Sequence, residues 1–313
     1  MNFWKLTVKT QALMREPSRT VPELGRRIKL FEIRARRLIA RGLAGEYRSV
    51  FRGRGIEFDE VRAYAPGDDV RLIDWNVSAR AGGIYIKKHI EEREQTVLLL
   101  VDVSASSDFG TRAQTKRELI AELCCVLGLA AAAGHDRTGL LLFTDRVEHF
   151  VPPARGRRHA LRLVRDLLGF QPVGRATDIS LALDYLNGVR RQPAVVFLVS
   201  DFINPSSYER SLRIAARRHD LVAVVVSDVR ERELPPVGLV ELRDVESGER
   251  VLVDTSDPVW QQGLRARLEA EKIQRAELFR RSGVDYIELE TGEAYEAKLR
   301  RFLVARSKKW HFA

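Results

Sequence analysis

Residues 96–106 read TVLLLVDVSAS. The apolar run at 97–101 has strand length and no polar alternation, the pattern of a strand buried on both faces of a parallel sheet. It stops at Asp102, and Ser104 and Ser106 follow at every second position. Three short oxygen-bearing side chains thus leave the carboxyl end of a buried strand, where such groups can converge on one point.

Downstream of this stretch strands alternate with helices. A helix dense in Leu and Ala covers 111–134, RTGLLLF (137–143) is a strand, and RVEHFV (146–151) is its hairpin partner. Helices over 157–169, 178–190 and 206–218 frame the strands AVVFLVS (194–200) and LVAVVVS (221–227). Residues 238–254 form a hairpin turning at Glu246, Ser247 and Gly248. A long helix over 257–282 ends at the C-cap Gly283, before the strand VDYIELE (284–290) and a helix over 293–305. This order predicts an α/β fold, doubly wound, with a mostly parallel sheet covered by helices on both faces. The domain is placed at 94–305, with a tail at 306–313.

Upstream, Leu24, Ile28, Phe31, Ala35 and Leu38 make the apolar stripe of an amphipathic helix over 24–43, with Gly42 and Gly45 at its end. Its other faces hold Arg26, Arg27, Lys29, Arg34, Arg36, Arg37 and Arg41. Residues 47–93 form a β/turn segment: a short strand in GIEFDEVRAY, a turn at APGDD, helical turns in RLIDWNVSAR and a strand after Gly82-Gly83. Its charges suggest a salt-bridged brace, or else a docking surface, and Trp75 reads as a core anchor. Residues 1–93 are therefore an extension packed on the main domain.

The 313 residues carry 53 Lys and Arg against 43 Asp and Glu. The first 54 hold 14 basic and 4 acidic residues, whereas the other 259 hold 39 of each. The excess charge therefore belongs to the N-terminal segment. A solvated basic face is the plain reading, with an acidic partner, nucleic acid or an anionic membrane surface as alternatives. No aromatics interleave with its arginines, so stacking recognition of single strands is not supported. Cys124 and Cys125 are adjacent in an apolar run and read as reduced core residues. No stretch approaches the ~18 apolar residues of a membrane span, and residues 1–20 lack a signal-peptide core, so the expected location is cytoplasmic.

Two further segments can join the oxygen set. Thr177-Asp178 precedes a helix, and Asp201 directly follows a strand. Ligands of open α/β sheets bind at the carboxyl ends of strands where the strand order reverses. Asp102, Ser104, Ser106, Thr177 and Asp201 are thus candidate ligands of Mg²⁺ or Mn²⁺, cations that take carboxylate and hydroxyl oxygens. The competing reading makes each of them ordinary loop chemistry, with Thr177 a helix N-cap. No phosphate-binding loop or nucleophile elbow is present. A metal-dependent phosphoesterase would have only Asp178 or Asp228 as general base.

The D-x-S-x-S segment, Thr177 and Asp201 resemble the metal-ion-dependent adhesion site of von Willebrand factor type A domains. The block from Phe51 to Phe58, Arg62, Pro66-Gly67-Asp68-Asp69, Asp74-Trp75, Ala79-Arg80 and Glu91-Glu92-Arg93 resembles the family called domain of unknown function 58. The resemblance implies a six-stranded sheet with a cation at its top. Ser104, Ser106 and Thr177 would bind directly, Asp102 and Asp201 largely through water, and a partner's carboxylate would take the open position. It also implies a non-enzymatic adaptor working with AAA+ ATPases of the MoxR type. Ser107 stands where the resemblance would put a methionine.

Overall fold

The computed structural model describes residues 6–8, 21–51, 60–88, 94–110, 114–203, 207–244, 246 and 248–311. Residues 52–59 and 89–93, which carry part of the family resemblance, lie outside the described residues, as do 1–5 and 9–20. The chain divides into two compact units, Phe51–Gln95 and the remainder. Residues up to Val50 therefore group with the α/β body.

The body is built on six strands: β4 (Thr96–Asp102), β5 (Arg137–Phe143), β6 (Val147–Arg155), β7 (Val195–Ser200), β8 (Asp220–Ser227) and β11 (Asp285–Glu290), in the spatial order β11-β8-β7-β4-β5-β6. All neighbours are parallel except β6, which returns antiparallel along β5. This is the expected α/β architecture with a six-stranded, mostly parallel sheet. The first strand of the body, β4, is central, and the chain winds outward on one side through β5 and β6 and on the other through β7, β8 and β11. The order reverses between β4 and β7, so a crevice opens at their carboxyl ends.

Every residue of β4 is buried. Leu98 and Leu100 share one core cluster with Ile179, Leu183 and Leu186 of α6 (Ile179–Val189), Leu212 of α7 (Glu209–Arg218) and Phe279 of α9 (Pro258–Ser282). Val97, Leu99 and Val101 alternate to the opposite face, which carries α4 (Lys116–Ala133) and α5 (Arg157–Gly169). Helix α4 is buried along nearly its whole length, as its near-continuous Leu and Ala content requires. Cys124 and Cys125 sit there as free buried thiols. Burial pushes both thiols up, Cys125 to about 12.

Helix α1 (Val21–Leu38) buries Phe31 and Ala35 and exposes Leu30 and Ile33, so the predicted stripe is the docked one. The predicted end at Gly42 is a kink instead. Gly42 takes φ 105°, which only glycine adopts cheaply, and the chain continues as α2 (Ala44–Phe51). The basic face of α1 is not wholly solvated. Arg27 pairs with Glu118 and Arg34 Nη1 lies 3.2 Å from Glu122 Oε1, both carboxylates belonging to α4.

A separate antiparallel sheet joins β1 (Leu6–Val8), β9 (Leu239–Asp244) and β10 (Arg250–Asp254). The last two strands are the predicted hairpin, and β1 was not foreseen. The short helix α8 (Val229–Arg232) follows β8, and α10 (Tyr295–His311) runs past the expected end at residue 305.

The Phe51–Gln95 unit holds the antiparallel pair β2 (Glu60–Ala63) and β3 (Tyr85–Lys88) and the helix α3 (Trp75–Ala81). Three of its carboxylates hold local contacts. Asp68 accepts from Arg62 at 2.5 Å, Asp69 from its own turn and Asp74 caps α3. Trp75 is 69% exposed, which corrects its reading as a core anchor. It is the first residue of α3, just after the Asp74 cap, in a short helix none of whose residues is buried.

Candidate metal centre

Asp102 ends β4, and Asp201 follows β7 at the neighbouring strand end, so both carboxylates enter the crevice at the switch point. Ser104 immediately precedes, and Ser106 lies within, a single turn of 3₁₀ helix after β4 (Ala105–Asp108). Thr177 arrives on the loop before α6. That loop is tied down from three sides. Ala105 N–H donates to Arg175 O at 3.2 Å, Asp178 N–H to Thr144 O at 3.0 Å, and Glu148 accepts from the amides of Val173 and Gly174. Gly174 passes so close to β5's end that a Cβ would fall 2.1 Å from Asp145 Oδ1. The N-cap of α6 is Asp178, not Thr177, so the threonine hydroxyl is left for the crevice.

All five predicted residues are brought together and buried. Thr177 Oγ1 donates toward Asp102 Oδ2 at 3.3 Å, and Ser200 donates to the same oxygen at 2.7 Å. Ser104 Oγ and Ser106 Oγ are 3.1 Å apart, and Ser106 donates to Asp201 Oδ2 at 2.9 Å. Burial, then the charge of Asp201, pushes the Asp102 carboxyl up, against hydrogen bonds from Ser104 and Ser200. Two acids crowd a buried site, where an isolated charge is costly.

Several participants were not singled out in the sequence. Lys116, only 2% exposed, opens α4 and reaches Asp201 Oδ2 at 3.2 Å and Glu231 Oε1 at 2.6 Å. Burial would depress this ammonium, but the charges of Glu231 and Asp201 outweigh it and hold the lysine protonated. No local pattern marks Lys116, because its partners are 85 and 115 residues away. Glu246, in the β9–β10 turn, accepts from Thr177 Oγ1 at 3.1 Å. Ser107 is buried, and its hydroxyl accepts from Arg117 at 3.3 Å, so the place where a methionine was expected is filled by a polar contact.

The donor set suits a hard cation. It consists of two carboxylates and three hydroxyls, without imidazole or thiolate, and fits Mg²⁺ or Mn²⁺ better than zinc. Among the described residues no three His, Cys, Asp or Glu side chains gather into a metal cluster, so the hydroxyls are needed to complete the set. The carboxylates considered as general bases are committed elsewhere. Asp178 caps α6, and Asp228 caps α8 and accepts from Thr291.

The model of the family described as protein of unknown function DUF58 matches residues 60–276. The chain belongs to the DUF58 family. An uncharacterized protein of Mycobacterium tuberculosis is 33% identical to this DUF58 chain over 288 residues, covering 91% of it and 90% of the relative. Among solved structures, the conserved hypothetical protein BatB from Bacteroides thetaiotaomicron aligns with TM-score 0.46 and 12% identity, over 68% of this chain and 99% of that one. Proximal thread matrix protein 1 from the mussel byssus, solved with a zinc-occupied MIDAS motif, aligns with TM-score 0.34 and 15% identity, over 43% and 38% of the two chains. No helix among the described residues is long and apolar enough to cross a membrane.

Proposed function

We propose that this DUF58 chain is a non-enzymatic, Mg²⁺- or Mn²⁺-dependent protein-interaction module. Asp102, Ser104, Ser106, Thr177 and Asp201 hold the cation, and an acidic side chain of a protein partner completes its coordination. The supporting observation is the convergence of these five oxygen-bearing side chains, from three separate chain segments, at the switch point between β4 and β7. The cation supplies positive charge that an entering carboxylate can bind. The chain's own buried residues fix the donor oxygens. The family resemblance supports a MoxR-type AAA+ ATPase as partner, in protein maturation or complex assembly.

Affinity capture in Mg²⁺ against EDTA tests this, with Asp102→Ala as control. The capture of an AAA+ ATPase in Mg²⁺ alone, lost in the variant, is the expected result. Mg²⁺ at ~100 times its dissociation constant adds about 2.7 kcal/mol to stability. A melting temperature identical in Mg²⁺, Mn²⁺ and EDTA would sink the metal part.

A further inference from the structure

The β9–β10 hairpin is not part of the six-stranded sheet, yet its turn reaches the site. Asp244, buried at the end of β9, organises that turn. Its Oδ1 accepts from Glu246 N–H at 2.8 Å, its carbonyl accepts from Gly248 N–H at 2.9 Å, and its own N–H donates to Glu249 O at 2.8 Å. Gly248 takes φ 78°. The half-buried Glu246 is thereby held in a defined position, with its carboxylate 3.1 Å from Thr177 Oγ1 across 69 residues of sequence.

Thr177 has one hydroxyl proton. It faces two carboxylates, Glu246 Oε1 at 3.1 Å and Asp102 Oδ2 at 3.3 Å. Thr177 Oγ1 is the atom these two carboxylates share. A hydroxyl oxygen that turns its lone pair to a cation can still donate its proton outward, and a cation at that oxygen draws both carboxylates toward itself.

We propose that Glu246 is an internal ligand of the site. It takes the position a partner's carboxylate would otherwise fill, so that binding a partner means displacing the Glu246 carboxylate. This rests on the reading of Asp102, Ser104, Ser106, Thr177 and Asp201 as a divalent-cation site. The partner is then a chain bearing an exposed Asp or Glu, in competition with a carboxylate that is already tethered. A tethered ligand acts at a high effective concentration, so the free module is held in a closed, low-affinity form.

Isothermal titration with Mn²⁺ and water-proton relaxivity of the Mn²⁺ complex test the proposal on the full chain. The variants are Glu246→Gln, Glu246→Ala and Asp102→Ala, with circular dichroism to verify folding. In both Glu246 variants Mn²⁺ affinity falls roughly tenfold or more. Relaxivity rises as water replaces the carboxylate, and Asp102→Ala abolishes binding. Equal affinity and relaxivity in wild type and Glu246→Gln would overturn the internal ligand while leaving the five-residue site standing. A weaker affinity at unchanged relaxivity would overturn it too, because Glu246 would then act only through its charge. Failure of the wild type to bind Mn²⁺ would remove the site and this proposal together.

Discussion

Replacing Lys116 by Met keeps most of the unbranched side chain and removes its charge. The ammonium is enclosed and lies between Asp201, itself buried, and Glu231. Removing one member of a buried ion pair strands the other, at a cost of about 3–5 kcal/mol. Glu231 keeps 16% of its side chain accessible, so water relieves part of its share and the lower end, about 3 kcal/mol, applies. A whole domain is stable by roughly 5–15 kcal/mol, so the loss is large without abolishing the fold. With a urea slope of about 2–3 kcal/mol/M, the unfolding midpoint drops by roughly 1–1.5 M. Adding Glu231→Gln to the variant removes one stranded carboxylate and recovers part of the loss. Mg²⁺ raises the midpoint of Lys116→Met more than that of the wild type, because the cation can then neutralise an Asp201 that has lost its lysine. A midpoint change under ~0.3 M would put the pair in the range of an exposed salt bridge and refute the reasoning.

Gly174→Ala places a methyl where Asp145 Oδ1 and Thr144 Oγ1 already stand. The loop carrying Thr177 must shift, so the melting temperature falls and Mn²⁺ affinity with it; unchanged calorimetric titrations would show that the loop is not what positions Thr177. His219 is buried with both ring nitrogens lacking a hydrogen-bond partner, and burial, then the charges of Arg190 and Arg218, push its pKa down. The folded state therefore favours the neutral ring. Its contribution is complete above the unfolded value of about 6.5 and is lost as pH falls toward the depressed folded value. Urea midpoints at pH 7.5 and pH 5.5 should diverge less in His219→Leu than in the wild type, and an equal divergence would clear His219 of the effect.

The fold was legible because β4, β5, β7 and β8 are short apolar runs closed by a polar residue, and α4 has a continuous apolar surface where other helices have a stripe. The metal candidates were legible for a related reason: the end of a buried parallel strand is where polar side chains first become useful, and Asp102 and Asp201 mark two such ends. Lys116 and Glu246 escaped because their meaning lies in contacts 69 to 115 residues away, and an isolated Lys at a helix start or Glu in a turn is ordinary local chemistry. Trp75 was misread because aromaticity alone was taken as burial, whereas it opens a short helix that buries none of its residues. The kink at Gly42 shows the converse error. A glycine pair was taken to end a helix, but one glycine with a positive φ only redirects it.

The charges around the crevice bear on how a partner could be exchanged. Asp102, Asp201 and Glu231 contribute three carboxylates and Lys116 one ammonium, which leaves two negative charges in a buried region. A divalent cation cancels them. The site is then neutral before any outer carboxylate arrives, so it attracts one only through the cation's remaining coordination and not through a large net field. Under the proposed arrangement, exchanging Glu246 for a partner's Asp or Glu replaces one carboxylate with another and leaves the local charge unchanged. Electrostatics then fixes the chemical type of the incoming group and contributes little to the net affinity. Discrimination among acidic partners has to come from surfaces outside the crevice, which offset the advantage of the tethered turn. Removing the tether by Glu246→Ala should accordingly raise affinity for a simple carboxylate such as acetate in the Mn²⁺-loaded protein, where wild type shows little binding, and equal acetate binding by the two would contradict this account of exchange.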